Sequence, residues 1–355
     1  MALHFDRSLE VAYRTVDEVT PGIRRIVAEN PGPYTFKGSA TFIVGSGEVA
    51  VIDPGPADER HIDALLAALG TERVSHILVT HTHLDHSPGT RLLQERTGAT
   101  TYGFGPHPVP SPLEEDRYGA APEPETSQSD SAARPDNCNK NNNNYHHTGD
   151  ASNNKSANDS DANADADAEA NESHGDIDFM PDVPTKHGDR IIGEGWQFEA
   201  VHTPGHLANH LCFRLGSKKV LFTGDHVMGW STSVISPPGG NLNDYLASLA
   251  LLLENPDDTY IPTHGSPITN PHDFVRGLID HRNARTAQIL ERLKSGPESI
   301  TEIVAALYVG LDPKLFKAAG RSVLAHLDAL VRSGSVSTEF EIGSTKMISA
   351  SYRLT

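Results

Sequence analysis

Short apolar runs separated by polar and Gly-rich residues dominate most of the chain. Two β-branched runs, 41–44 and 49–52, flank Gly45-Ser46-Gly47, and this order predicts a β-hairpin. Residues 58–69 carry apolar side chains at helical spacing, and Gly70 follows where a helix stop is expected. The pattern predicts alternating strands and helices, which is typical of an α/β domain with helices packed on its sheets.

Several of the apolar runs lead directly into residues that can bind metals. The run 77–80 predicts a buried strand, and a helix over 90–95 would follow it as a βα unit. The runs 200–201, 220–222 and 260–262 have the same form, each followed by polar residues beside a Gly or Pro. Such strand ends commonly deliver functional side chains to loops, so we expect these segments to converge at one edge of a sheet.

The C-terminal region has a different pattern. Apolar spacing predicts helices over 286–293, 299–307 and 313–331, and two β-prone pieces follow at 336–342 and 346–352. Three helices and then a hairpin is the order of a winged helix. The sequence therefore predicts two domains, residues 1–279 and residues 280–355.

Composition changes sharply between Pro110 and Asp182. This tract holds four consecutive asparagines at 141–144 and alternating Asp and Ala around 161–168, with almost no aliphatic residues. Such a segment cannot bury enough apolar surface to offset its ordering entropy, so residues 122–176 are expected to form a disordered insertion. Most of the chain's net charge of −18 lies here, so the acidic total says little about partners of the folded part. The tract's histidines, His146, His147 and His174, are interpreted as solvated polar residues rather than as a metal site.

Imidazoles and carboxylates cluster at the predicted strand ends. His81, His83, Asp85 and His86 come directly after the strand that ends at Thr80, and further candidates follow at His206, Asp225 and His264. Nitrogen and carboxylate ligands together suit zinc, manganese or iron. Alternate side chains of an extended strand point the same way, so we expect His81 and His83 to hold one ion, and Asp85 and His86 to reach a second.

These residues resemble the metallo-β-lactamase superfamily. The His81-Thr82-His83-Leu84-Asp85-His86 signature is followed in the expected order by Thr203-Pro204-Gly205-His206, Thr223-Gly224-Asp225 and His264-Gly265. The resemblance covers about residues 20–275 apart from the insertion, and it implies a four-layer αβ/βα sandwich. It also implies that His81, His83 and His206 hold the first metal, that Asp85, His86 and His264 hold the second, and that Asp225 bridges them. Asp53 matches the family's early aspartate, which braces the metal loops; its alternative role is that of a turn residue.

The segment His281-Arg282-Asn283-Ala284-Arg285 narrows the resemblance. It is similar to the junction between the catalytic domain and the winged helix in lactamase-β-2-like proteins. Glyoxalase II enzymes end differently, in helices that hold glutathione, and the larger processing nucleases carry a folded inserted domain. The flavodiiron branch replaces a histidine ligand by glutamate, and this chain does not.

The predicted chemistry is metal-dependent hydrolysis. Two divalent ions, zinc in the first instance and manganese or iron otherwise, would lower the pKa of a bridging water and polarise the group under attack. Asp85 is the candidate catalytic residue, placed to orient the nucleophile or pass on a proton. A small ester, thioester or lactam-like substrate is favoured. The alternatives are a single-strand endoribonuclease and, in a different class, a non-catalytic metal-binding winged-helix regulator.

Other features bear on partners and compartment. The N-terminal residues lack the basic and apolar regions of a secretory signal, no run is apolar enough to span a membrane, and two cysteines without a pairing pattern suit a reducing compartment. We therefore expect a cytoplasmic protein with no membrane contact. The winged helix has nearly balanced charge, which favours a structural role, with dimerisation to a homodimer or weak contact with single-stranded RNA as further options. Asn209 and residues 236–240 are candidates for the substrate side or for plain loop and capping roles.

Overall fold

The computed structural model describes residues 3–108, 175–339, 347 and 349–355. Almost all of the predicted insertion lies outside these residues, as do Cys138, His146, His147 and His174. The prediction of disorder for that tract is therefore untested. Everything below concerns the described part of the chain.

The first sheet has seven strands, which lie side by side in chain order. They are β1 (Asp17–Thr20), β2 (Ile23–Val27), β3 (Ala40–Ser46), β4 (Glu48–Ile52), β5 (Arg73–Leu78), β6 (Thr100–Gly103) and β7 (Val183–Pro184). The first four pair antiparallel, and β4 to β7 pair parallel. The predicted hairpin is confirmed as β3 and β4, with Gly45 and Gly47 at the positive φ angles that its turn requires.

The second sheet has five strands. They are β8 (Arg190–Gly193), β9 (Trp196–His202), β10 (Leu211–Leu215), β11 (Val220–Gly224) and β12 (Thr259–Pro262). Strands β8 to β11 form an antiparallel meander, whereas β12 joins β11 in parallel at the edge. Such a parallel addition needs a crossover connection, and a helix between β11 and β12 supplies it.

Helices cover the outer faces of both sheets. Helices α1 (Glu59–Leu69) and α2 (Gly89–Thr97) pack on the first sheet, and α3 (Leu242–Leu252) and α4 (Pro271–Leu293) pack on the second. Between the sheets lies an apolar core that includes Phe42, Ile52, Phe198, Phe213 and Phe222. The order of layers is therefore αβ/βα, as predicted. None of the described helices combines the length and the apolar character that crossing a membrane requires.

Helix α1 shows how local sequence sets an element. The Asp58 side chain accepts the Arg60 backbone N–H, and Gly70 follows the last turn with a φ of 59° while its N–H bonds to the Leu66 carbonyl. A cap of this kind contributes about 1 kcal/mol to helix stability. The helix predicted over 58–69 is confirmed, with Asp58 as its cap and Glu59 as its first helical residue. Helix α2 extends one residue before and two residues beyond its predicted range of 90–95.

The C-terminal part has its own core. Helices α5 (Ile300–Leu307) and α6 (Phe316–Arg332) confirm two of the predicted helices, and β13 (Glu298–Ser299), β14 (Val336–Thr338) and β15 (Ser351–Leu354) form a small antiparallel sheet. Of the strand predicted over 346–352, residues 351 and 352 lie in β15, whereas Met347 is buried in the C-terminal core before β15 begins. Residues 346 and 348 lie outside the described part of the chain.

The first predicted winged-helix segment, 286–293, is the end of the longer helix α4. Val275 and Leu278 of α4 pack under the second sheet, whereas Ile289 and Leu293 pack in the C-terminal core. The helix runs through residue 280 without a break, so its two halves serve two different cores. The division into 1–279 and 280–355 stays a prediction.

Candidate metal centre

The histidine-rich segment lies in a loop and not on a strand. Strand β5 ends at Leu78, two residues before the end predicted for it. The Val79 N–H still bonds to the Tyr102 carbonyl at 2.9 Å, but the Thr80 carbonyl accepts from Leu211 N at 2.7 Å, in the second sheet. The loop thus crosses from one sheet to the other. The explanation of His81 and His83 by strand alternation is wrong, because loop contacts set their directions.

The other site residues follow strands of both sheets. Asp53 follows β4 of the first sheet, whereas His206, Asp225 and His264 follow β9, β11 and β12 of the second. The prediction that the ligands share one sheet edge is therefore wrong. They meet where matching ends of two facing sheets come together, because the sandwich stacks the sheets over a common core.

Three imidazoles form the first ligand group. The Nε2 atom of His81 lies 3.0 Å from Nδ1 of His83, and Nε2 of His206 lies 2.9 Å from the same atom. All three rings are buried. Their nitrogen atoms are mutually close enough to hold one metal ion.

The second group combines Asp85, His86 and His264. The Oδ2 atom of Asp85 lies 3.3 Å from Nε2 of His86 and 3.1 Å from Nε2 of His264. Asp225 stands between the two groups, with Oδ2 at 3.4 Å from His264 Nε2, 3.5 Å from His86 Nε2 and 3.9 Å from His206 Nε2. One carboxylate can thus serve two ions. The structure brings all seven predicted ligands together.

Hydrogen bonds from the outer ring nitrogens orient four of the five histidines. The acceptors of the Nδ1 atoms are Thr80 Oγ1 for His81 (3.1 Å), Asp53 Oδ2 for His86 (2.9 Å), Val234 O for His206 (2.6 Å) and Gly38 O for His264 (3.2 Å). A ring that donates from Nδ1 keeps the lone pair of Nε2 free for a metal. All four Nε2 atoms face the centre.

Asp53 joins several of these contacts. Its Oδ1 accepts the Thr80 N–H at 2.8 Å, and its Oδ2 accepts the hydroxyls of Thr80 at 2.7 Å and Thr263 at 3.1 Å as well as the His86 ring. Its backbone has a φ of 47°, which Asp tolerates better than most residues. The predicted bracing role is confirmed.

The donor set fits two divalent cations. His86 Nε2 and Asp225 Oδ1 are buried and have no hydrogen-bond partner among the described residues. Buried polar atoms are rarely left unpaired, and both of these atoms belong to residues of the ligand groups, so they fit the coordination of a cation. Imidazole and carboxylate are the ligand types of zinc, manganese and iron sites.

Electrostatics keep the carboxylates of the centre ionised. Burial acts to raise the pKa of Asp85, but His86 and His264 outweigh it and hold that pKa well below its usual range. Burial acts to lower the pKa of His264, yet Asp225 and Asp85 raise it to about 10. In the metal-free protein the imidazolium charges thus keep the carboxylates ionised. A metal ion that binds His264 displaces the proton from its ring.

Asn209 braces the metal loop. Its Nδ2 donates to Thr82 Oγ1 at 2.9 Å and to Pro106 O at 3.1 Å, so it holds the residue between His81 and His83. Residues 236–240 form a turn, in which Gly240 N bonds to Ser236 O at 2.8 Å. Of the two predicted options for these segments, the loop role is the one that these contacts show.

Cys212, Tyr245 and Trp230 do not belong to the ligand groups. Cys212 is buried in β10 beside Thr203, and burial raises the pKa of its thiol to about 12. It is a free thiol. Tyr245 is buried in the core under the second sheet, and Trp230 stacks on Phe36 with 4.8 Å between ring centroids.

Two polar contacts at the centre were missed in the sequence. Ser39 Oγ donates to Asp85 Oδ2 at 2.8 Å, and Asp225 N donates to Nε2 of the buried His210 at 3.2 Å. His210 lies four residues after His206, and that spacing is a signal that could have been used. Nothing in the sequence marks Ser39, because its role depends on a contact 46 residues away.

Comparison with known families agrees with this geometry. The profile described as the metallo-beta-lactamase superfamily matches residues 33–264, and that described as the beta-lactamase associated winged helix domain matches residues 299–343. The first match covers more than half of the chain. It includes all seven candidate ligands.

The individual relatives share only about a quarter of their residues with this chain. The "Beta-lactamase-like protein 2 homolog" of Drosophila melanogaster is 25% identical over 90% of this chain and 91% of its own length. The "Atrochrysone carboxyl ACP thioesterase" of Cryptosporiopsis sp. (strain 8999) is 24% identical over 79% of this chain, but the match spans only 65% of that protein. A metallo-beta-lactamase family protein from Thermus thermophilus superposes with a TM-score of 0.64 at 22% identity, over 95% of this chain and 100% of the other. The last of these supports the fold alone.

Proposed function

Because this chain belongs to the metallo-beta-lactamase superfamily, we propose that it is a two-metal hydrolase and that its substrate is a small thioester. The observation that carries the proposal is the pair of ligand groups that share Asp225, His81–His83–His206 on one side and Asp85–His86–His264 on the other. A protein that only binds metal has no need of two adjacent ions with a common carboxylate.

The chemistry is divided between the metals and the chain. Held by these two ligand groups, two zinc ions would supply Lewis acidity for the substrate carbonyl and would lower the pKa of a bound water. Asp85 accepts the hydroxyl of Ser39 and lies against His264, so its carboxylate is fixed in a direction that suits both ligation and proton transfer. The buried histidines exclude bulk water from the back of the centre.

A thioester is favoured within the acyl substrates considered. A relative that aligns over most of this chain is named a thioesterase, and the activity is proposed here on that likeness. No nucleophilic side chain is required, and the buried Cys212 with its raised pKa does not offer one. A simple ester and a lactam-like ring, which present the same carbonyl, stay in the substrate panel.

The winged helix is assigned a structural role in this proposal. Ala325 of α6 packs with the residues under the second sheet, and His326 beside it is buried too. The third helix of a winged helix is the one that enters a nucleic-acid groove, and here part of its surface is covered by α3 and α4. Contact with single-stranded RNA, a homodimer and a cytoplasmic location stay predictions.

The test combines metal content with a substrate panel. Plasma mass spectrometry of the purified protein should find close to two metal equivalents. Hydrolysis of an acyl thioester, followed by release of free thiol, should fall by at least about 100-fold in Asp85→Ala, because the group lies at the reacting centre. Lactone, β-lactam and single-stranded RNA are assayed in parallel. If the protein cleaves RNA and Asp85→Ala abolishes that cleavage, the substrate is RNA and not a thioester. Metal binding without hydrolysis of any substrate would favour the non-catalytic regulator. Absence of bound metal would exclude both the two-metal hydrolase and the metal-binding regulator.

A further inference from the structure

Arg282 connects helix α4 to the loop that carries a metal-ligand contact. Its side chain is 5% exposed, and its Nη2 donates to the Ser233 carbonyl at 2.5 Å. The next carbonyl along the chain, that of Val234, accepts the Nδ1–H of His206 at 2.6 Å. Two consecutive peptide groups therefore face Arg282 and a candidate metal ligand, respectively.

The contacts around Arg282 fix it in one position. Its Cζ lies 5.5 Å from the centre of the Tyr245 ring, and the Tyr245 hydroxyl donates to Ser233 Oγ at 3.4 Å. Ser233 Oγ in turn donates to the His226 carbonyl at 2.7 Å. Arg282 thus closes a small buried network on the loop formed by residues 226–236.

The same helix turn reaches the C-terminal core. Thr286, one turn after Arg282, bonds to Nδ1 of His326 on α6 at 2.8 Å and to the Arg282 carbonyl at 3.2 Å. Burying a guanidinium is costly, and its Nε has no hydrogen-bond partner among the described residues. The Arg282 guanidinium is buried despite this desolvation cost, at the point where α4 passes from one core to the other, and this indicates a specific role.

We infer that Arg282 is a positioning residue, which holds the 226–236 loop so that the Val234 carbonyl fixes the His206 ring for the first metal. The inference rests on the proposed metal site. The inference extends the proposed site, because it makes helix α4 part of the support of the first ion and not of the second. Interactions behind a metal-binding histidine typically change metal affinity by about 10- to 100-fold.

The experiment measures zinc binding and does not depend on hydrolysis. Zinc is titrated by calorimetry into the full-length metal-free protein, for wild type, Arg282→Met and Arg282→Lys. His206→Ala and His264→Ala identify the first and the second site in the titration. Arg276→Met is the matched control, because Arg276 is an exposed residue of the same helix that pairs with Asp273.

The expected result is a selective loss. Arg282→Met should weaken zinc binding at the His206 site about 10-fold and leave the other site unchanged. Arg282→Lys should lose about 3-fold at the same site, because an ammonium group cannot both rest on Tyr245 and reach the Ser233 carbonyl in the same geometry. Arg276→Met should bind zinc as wild type does.

Two results would overturn the inference: unchanged affinity at the His206 site in either variant that folds, or an equal loss at both sites. If Arg282→Met does not fold, Arg282→Lys decides by the same criteria. If the wild-type protein binds no zinc, the proposed metal site itself is refuted. If the wild type binds two ions and the Arg282 variants bind them equally well, only the role of Arg282 is refuted.

Discussion

Oδ2 of Asp53 lies 2.9 Å from Nδ1 of His86, although the two residues are 33 positions apart in the sequence. The same carboxylate holds Thr80, which in turn contacts the His81 ring. One buried side chain outside the ligand set therefore orients a ligand of each proposed ion. This arrangement makes Asp53 the support on which both halves of the centre depend.

Replacing Asp53 by Asn should weaken both metal sites. Asn tolerates the positive φ of this position, so the backbone is expected to stay as it is. The amide offers one oxygen where the carboxylate accepts four hydrogen bonds, and zinc affinity should fall by about 10- to 100-fold. Competition with a chromophoric chelator measures this. Asp273→Asn, at an exposed position of α4, serves as the control, and equal affinities in the two variants would contradict the bracing role.

Removal of metal should destabilise the fold. Ions that bind the native centre and not the unfolded chain add about 2.7 kcal/mol each at a free concentration of 100 times Kd. Thermal unfolding after dialysis against a chelator should therefore occur at a lower temperature, and added zinc should restore it. His206→Ala, which lacks one ligand, should recover only part of the shift. An unfolding temperature indifferent to zinc would count against the centre.

Deletion of residues 109–174 should leave the fold and the activity intact. The two ends of the tract meet, because the His107 ring packs directly against Gly175 and Asp176 N bonds to the Thr82 carbonyl at 2.7 Å. A flexible linker of about six Gly and Ser residues can therefore replace the tract. Thermal unfolding and zinc content of the shortened protein should match those of the full chain. Loss of folding, or loss of hydrolysis at full zinc content, would show that the tract does more than connect.

The folded protein should become less stable as pH decreases, in a pH range set in part by His326. Burial, followed by the nearby Arg282 and Arg285 cations, lowers the pKa of His326 from 6.5 to about 3. Between pH 6.5 and 3 the unfolded chain binds a proton that the folded chain does not, so stability is present above pH 6.5 and is lost as pH falls through this range. At pH 5 the loss from this one group is about 2 kcal/mol.

Urea unfolding of the metal-free protein at pH 7 and pH 5 tests this. In His326→Gln, which keeps a hydrogen-bonding group for Thr286 but does not titrate, the difference in unfolding free energy between the two pH values should shrink by that amount. An unchanged difference would mean that the folded protein protonates His326 as readily as the unfolded chain does.

Local signals in the sequence predicted most of the elements. Gly45 and Gly47 marked the hairpin, and Asp58 and Gly70 marked both ends of α1, because turns and caps depend on residues only a few positions apart. Where the prediction failed, a distant contact decided. Strand β5 stops at Leu78 because Thr80 bonds to Leu211 of the other sheet.

The sequence by itself determined which side chains are available for chemistry. Seven residues are recognisable as candidate ligands by type and by their positions after apolar runs, since strand ends are local features: His81, His83, Asp85, His86, His206, Asp225 and His264. The tertiary structure decided that these residues come from two facing sheets, that Asp225 stands between two groups, and that Ser39, Val234 and Arg282 support them. A backbone carbonyl or a serine hydroxyl is the same in every context, and only packing across the sandwich determines which of them a buried imidazole or carboxylate meets.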